Sequence, residues 1–119
     1  PEAPVDAPKA VQVEERKDVI KVVIPARGDK EYKLLLSKGA DLEYAWQTDG
    51  EALYYDFHGD PSDAGKFASF EKDTKAQTAG VFTPTFDGKH GWYWKNTGTE
   101  PVTVTLSSRG RYTRWDSNP

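Results

Sequence analysis

His58 and His90 are the only histidines in the chain, and each is followed by glycine. They lie in Tyr54-Tyr55-Asp56-Phe57-His58-Gly59-Asp60 and in Phe86-Asp87-Gly88-Lys89-His90-Gly91-Trp92-Tyr93-Trp94. Imidazole and carboxylate together suit zinc, copper(II) or nickel where no thiol competes. Two histidines with one or two of Asp56, Asp60 and Asp87 would supply the three or four ligands a metal needs. The two stretches are far apart in sequence, so only the fold can join them. Strand parity opposes the junction: His58 shares a face with Tyr54 and Asp56, on the solvent side, whereas His90 shares one with Trp92 and Trp94. The competing reading is that each imidazole orders its own loop by bonding to backbone or aspartate.

Other residue groups offer weaker chemistry. Tyr54, Tyr93, Trp92 and Trp94 are candidates for an aromatic platform that stacks on a sugar ring or a partner. Alternation sends Trp92 and Trp94 inward and leaves Tyr93 as the better surface residue. Asp56, Asp60, Asp87 and Glu51 could form an acid/base pair in an aromatic setting, but carboxylates number 19 in 119 residues and carry little signal. No nucleophile elbow, phosphate loop or HExxH is present, and the chain is read as non-enzymatic. Arg109, Arg111 and Arg114, with Tyr112 and Trp115, form a basic-aromatic strand end.

The elements that must position these residues follow from size and pattern. A chain of 119 residues suits one domain with a self-sufficient core, and four Trp, six Tyr and five Phe predict an aromatic one. A net charge of −3 argues against nucleic acid as a partner. The absence of cysteine excludes disulfides, thiolate nucleophiles and Cys-based zinc sites. No apolar run reaches the roughly 20 residues that span a bilayer. There is no methionine, so the expectation is a processed form or an excised domain.

The Pro/Ala-rich start predicts a linker and lead-in over 1–17, a single domain over 18–115 and a tail over 116–119. Strands are expected at Asp18–Ile24, Glu31–Leu36, Asp41–Thr48, Ala52–His58, Lys66–Lys72, Thr78–Phe86, His90–Lys95 and Val102–Ser107. Asp49-Gly50 reads as a hairpin turn needing positive φ. Gly59 to Gly65 reads as the clearest loop, and the last two strands as a hairpin around Asn96 to Pro101. Eight short strands at this spacing predict an all-β, antiparallel β-sandwich.

These residues also resemble a family. Tyr44 to Trp46, Asp49-Gly50, Asp56 to Pro61, Phe86 to Asn96, Pro101 to Leu106 and Gly110 to Tyr112 are similar to the periplasmic domain of bacterial "transmembrane anchor" proteins, whose genes often neighbour heavy-metal efflux systems. A more distant similarity is to GOLD-type, jelly-roll-like sandwiches. The resemblance implies a periplasmic location, tethering to the inner membrane through an N-terminal anchor, and an efflux or envelope protein as partner. It supplies no catalytic residue, and the chain lacks the His-rich linker of some members. The reading is a non-catalytic accessory or binding domain, with metal binding through His58 and His90 as its sharper form. The alternative is a protein- or glycan-recognition module with an aromatic surface and no metal.

Overall fold

The computed structural model describes residues 14–63 and 66–115. It contains eight strands: β1 (Glu15–Ile24), β2 (Asp29–Leu36), β3 (Leu42–Thr48), β4 (Leu53–Pro61), β5 (Ala68–Lys75), β6 (Gln77–Phe82), β7 (Gly88–Lys95) and β8 (Val102–Trp115). All pairings are antiparallel. Each expected strand is present. β1 opens at Glu15, so residues 15–17 belong to the sheet rather than to the lead-in, while 1–13 and 116–119 lie outside the described residues.

The strands form two layers that share β8. Its first part lies between β1 and β3, with β6 beyond β3; its last residues, Tyr112 to Trp115, pair with β2 in the layer β5-β4-β7-β2. Leu42 faces Gly110 in one layer and Leu36 faces Tyr112 in the other. A Cβ on Gly110 would lie 2.6 Å from the Asp41 carbonyl oxygen, so the crossing tolerates no side chain there. The polar run Ser107-Ser108-Arg109-Gly110 reads as a strand end, yet β8 continues through it to Trp115.

Both expected hairpins are replaced by crossings between layers. β3 pairs with β6 and β8 while β4 pairs with β5 and β7. Asp49-Gly50 therefore turns the chain from one layer to the other. Gly50 uses no left-handed φ, and Asp49 instead extends the β3–β8 pairing, its amide bonding Thr103 O (3.0 Å) and its carboxylate accepting from Thr103 N (3.1 Å). β7 and β8 do not pair either. Buried Asn96 anchors their connection: its Nδ2 donates to Ile24 O and Glu100 O, and its Oδ1 accepts from Gly98 N. Only β4 and β5 are consecutive and directly paired, and β4 runs on to Pro61, shortening the expected loop.

Alternation explains which faces are buried. Leu42 and Trp46 on β3, Leu53, Tyr55 and Phe57 on β4, Trp92 and Trp94 on β7, and Val102, Val104 and Leu106 on β8 point between the layers. Aromatic rings run through the interior. Trp46 meets Tyr55 and Trp94 edge-on at 5.1 and 5.8 Å, Trp92 stacks on Phe57 at 4.9 Å, and Phe57 reaches Phe82 and Phe70. Each such pair adds about 0.5–1.5 kcal/mol beyond area burial. Phe70 stays exposed at the margin of this cluster, on a bulge: Phe57 faces Glu71 and His58 faces Ser69, leaving Phe70 without an opposite residue.

Tyr112 sets a pH dependence. Its hydroxyl donates to Asp18 Oδ2 (2.6 Å) and lies 2.7 Å from Ser108 Oγ. Burial, then the Asp18 bond, push the phenol up to about 12. The Tyr112 bond, then Arg16, hold the Asp18 carboxyl below its ordinary range. A phenol that keeps its proton more tightly when folded stabilises below its unfolded value of about 10 and loses that contribution as pH rises further. Thermal midpoints should therefore fall from pH about 10 to about 12, and Tyr112→Phe should lessen the fall, the raised phenols of Tyr32, Tyr44, Tyr55 and Tyr93 carrying the rest. An equally steep fall in the variant would assign the loss to other groups.

Candidate functional site

The His-Gly echo is a reciprocal device. In the β4–β7 ladder His58 faces Gly91 and Gly59 faces His90. Residues directly opposite share a face, and successive residues alternate. One imidazole therefore lies on the outer face beside a vacant glycine position, and the other lies inside beside the second.

On the outer face, His58 reaches across β7 to β2. Gly91 lies between His58 and Lys33 in the register, and its missing side chain leaves the notch the contact crosses. His58 Nε2 is 2.9 Å from Glu31 Oε2, and Nδ1 is 3.0 Å from the Asp56 carbonyl oxygen. The Nδ1 contact is a hydrogen bond donated to that carbonyl, whereas the Nε2 approach to Glu31 is close but lacks hydrogen-bond alignment. The Lys33 ammonium contacts the Asp60 carboxylate and lies 3.6 Å from Glu31. Asp56 accepts from Ser69 Oγ, and the Phe67 ring covers His58 at 4.5 Å. His58 is thus only 2% exposed, against its solvent-side expectation, because these neighbours roof it. The charges are spent on one another, and the cluster clamps β4 to β2.

His90 faces inward and is fully buried among Phe70, Phe82 and Phe86, with Phe86 stacked at 4.8 Å. Its Nδ1 donates to Gly88 O at 2.9 Å. Burial pushes its pKa below 6.5, against the Gly88 bond and the field of Asp60. The unfolded chain then binds the proton more readily, so this contribution is present above about pH 6.5 and lost as pH falls. His90→Phe should reduce the drop in thermal midpoint between neutral pH and about pH 5. An unchanged drop would remove His90 as its source.

The expected joint site does not form. His58 and His90 occupy opposite faces, and no group of three or more His, Asp or Glu among the described residues is placed to hold a metal ion. Asp87 lies in the loop before β7, where its carboxylate accepts from Lys38 N and its carbonyl from Ser62 N. The aromatic platform is also corrected: Trp92 and Trp94 are fully buried because both face between the layers. Tyr54 and Tyr93 do lie outside, half-buried as an edge-to-face pair 6.5 Å apart, with Tyr93 donating to Asp29.

A surface that sequence reading missed lies on the opposite layer. Across β1, β8, β3 and β6, Val19, Ser107, Ala45 and Ala79 fall in one row. Lys17, Arg109, Glu43 and Val81 form the next. Small side chains leave the first row low, and a depression of about 640 Å³ lies over the two rows. Two further depressions, of about 530 and 480 Å³, share its lining and continue it along the sheet. Val19, Val23 and Val81, each more than half exposed, stand on these strands. The available signal was apolar or small residues at outward strand positions, where polar ones are usual.

No protein-family model and no curated protein matches the chain. Among solved structures it is similar to "Yersinia pseudotuberculosis-derived mitogen (YPM)", with a TM-score of 0.55 and 11% identity over 89% of this chain and 92% of that one. At that identity the likeness concerns the fold alone. The described residues form an eight-stranded antiparallel β-sandwich of jelly-roll-like form.

Proposed function

We propose that this domain is a non-catalytic binding module that recognises a protein partner through the outer face of β1, β8, β3 and β6. The carrying observation is the joined depression over Ala45, Ala79 and Ser107, flanked by exposed Val19 and Val81 and by charged Lys17, Glu43 and Arg109. Apolar patches rimmed by polar groups mark interaction surfaces. The family resemblance supports the setting: the periplasmic side of the inner membrane, an N-terminal anchor, and an efflux or envelope protein as partner. The similarity to GOLD-type sandwiches, found in cargo-binding proteins, fits the same role. Neither a shared histidine metal site nor a tryptophan platform belongs to this reading.

The test is a photo-crosslinking residue at Ala45 in the full chain in cells, with one at Tyr54 on the opposite layer as control. A discrete adduct to another protein is expected from Ala45 alone, and Ala79→Arg should abolish it. Ala79 is exposed, so that variant should change stability by no more than about 0.5 kcal/mol. Adducts from Tyr54 with none from Ala45 would move the binding surface to the other layer.

A further inference from the structure

The free edges of the sandwich are unequally protected. Among the described residues β1 bonds only to β8, β5 only to β4, and β6 only to β3, while the last residues of β8 bond only to β2. Unpaired edges invite a further strand, and charged residues or prolines normally deter it. β1 carries Glu15, Arg16, Lys17, Asp18 and Lys21. β5 carries Glu71, Lys72, Asp73 and Lys75, and the end of β8 carries Arg111 and Arg114. β6, Gln77-Thr78-Ala79-Gly80-Val81-Phe82, has neither a charge nor a proline. Its outward residues Gln77, Ala79 and Val81 are all exposed.

We propose that β6 is a self-pairing edge, and that a second copy of this chain adds its own β6 antiparallel to it across a two-fold axis. The edge itself selects the occupant: β6 offers no counter-charge to a charged strand and leaves Gln77, Ala79 and Val81 exposed, so a neutral, extended strand free along one side fits it. Among the described edges β6 alone meets those conditions. Centred on Ala79, the pairing sets Gln77 against Val81, Thr78 against Gly80 and Ala79 against its own copy. No charged residue then faces a like charge, and the same patch serves both molecules, as a two-fold interface requires. The two outer faces become one continuous surface. The inference goes beyond partner recognition, since it concerns the strand edge rather than the face.

Sedimentation velocity on the purified chain, from micromolar to near-millimolar concentration, tests it. The wild type should shift from monomer to dimer. Ala79→Lys and Ala79→Asp should each remain monomeric, because each sets like charges face to face at the axis. An equimolar mixture of the two variants should dimerise again. A wild type that stays monomeric, or an Ala79→Lys protein that dimerises like it, would overturn the proposal. Amide hydrogen exchange needs no variant: protection of 77–82 should rise with concentration, and concentration-independent exchange would equally overturn it. Ala45→Arg, placed on the face, should leave the dimer intact and so separates this inference from the proposed partner surface.

Discussion

Replacing Trp94 with alanine should remove about 3–5 kcal/mol of unfolding free energy, measured as a shift in the urea transition. Trp94 is fully buried, meets Trp46 edge-on at 5.8 Å and lies parallel to Trp92 at 6.2 Å. Truncation loses those ring contacts and leaves a void between two sheets that are pinned by hydrogen-bonded ladders and cannot close on it. Domains of this kind hold roughly 5–15 kcal/mol in total, so one substitution brings the protein near its threshold. Trp115→Ala is the internal standard. That ring is 37% exposed at the end of β8, with Lys89 above it at 4.3 Å, and its loss should cost about 1 kcal/mol, the size of an exposed cation–π contact. Equal losses from the two variants would show that the interior is not organised around the buried indoles.

Gly91→Ala should be the most damaging single-methyl change in the paired glycines. A Cβ at Gly91 would lie 2.0 Å from the Tyr32 carbonyl oxygen and 2.7 Å from the Lys33 Cα. Both are backbone atoms of β2, so the methyl can be admitted only by moving the strand. Overpacking typically costs 1–3 kcal/mol, and a displaced ladder places this case at about the upper end or beyond. Gly59→Ala is the contrast: its Cβ would meet Phe86 Cζ at 2.8 Å and His90 Cδ2 at 2.9 Å, which are side-chain atoms. Phe86 is only half-buried and can yield, so the effect should be smaller. A larger loss from Gly59→Ala than from Gly91→Ala, in the same denaturation assay, would refute this ordering.

Local pattern made the strands legible, and topology escaped it. Short β-like runs between turn signals located the eight elements, although the one expected over Thr78–Phe86 ends at Phe82, and alternation placed Leu53, Tyr55 and Phe57 inside, because a half-buried strand declares its two faces in its own residues. It also set His58 and His90 on opposite faces. Pairing partners are not local information. Asp49-Gly50 reads as a hairpin in isolation, yet the inward faces of β3 and β4 belong to different layers and the turn carries the chain across. The burial of His58 was hidden for a related reason: Glu31 and Lys33 arrive from β2, one strand beyond its neighbour. Ala45, Ala79 and Ser107 were passed over because small residues have no chemistry of their own. Their meaning appears only when the register lines them up.

The sharing of β8 between the two layers fixes an order of events in folding. Consecutive strands mostly cross from layer to layer, so only the β4–β5 pair can form from neighbouring sequence. Every other ladder waits for distant segments to meet, and three of them wait for β8. Until β8 joins, the two layers lack the strand they share and cannot close on each other. Such non-local topologies fold in milliseconds to seconds, slowly for their size. Until β8 arrives the β3 edge it will cover and the aromatic interior are both open to solvent. The interval before closure is when this chain most needs an escort against aggregation.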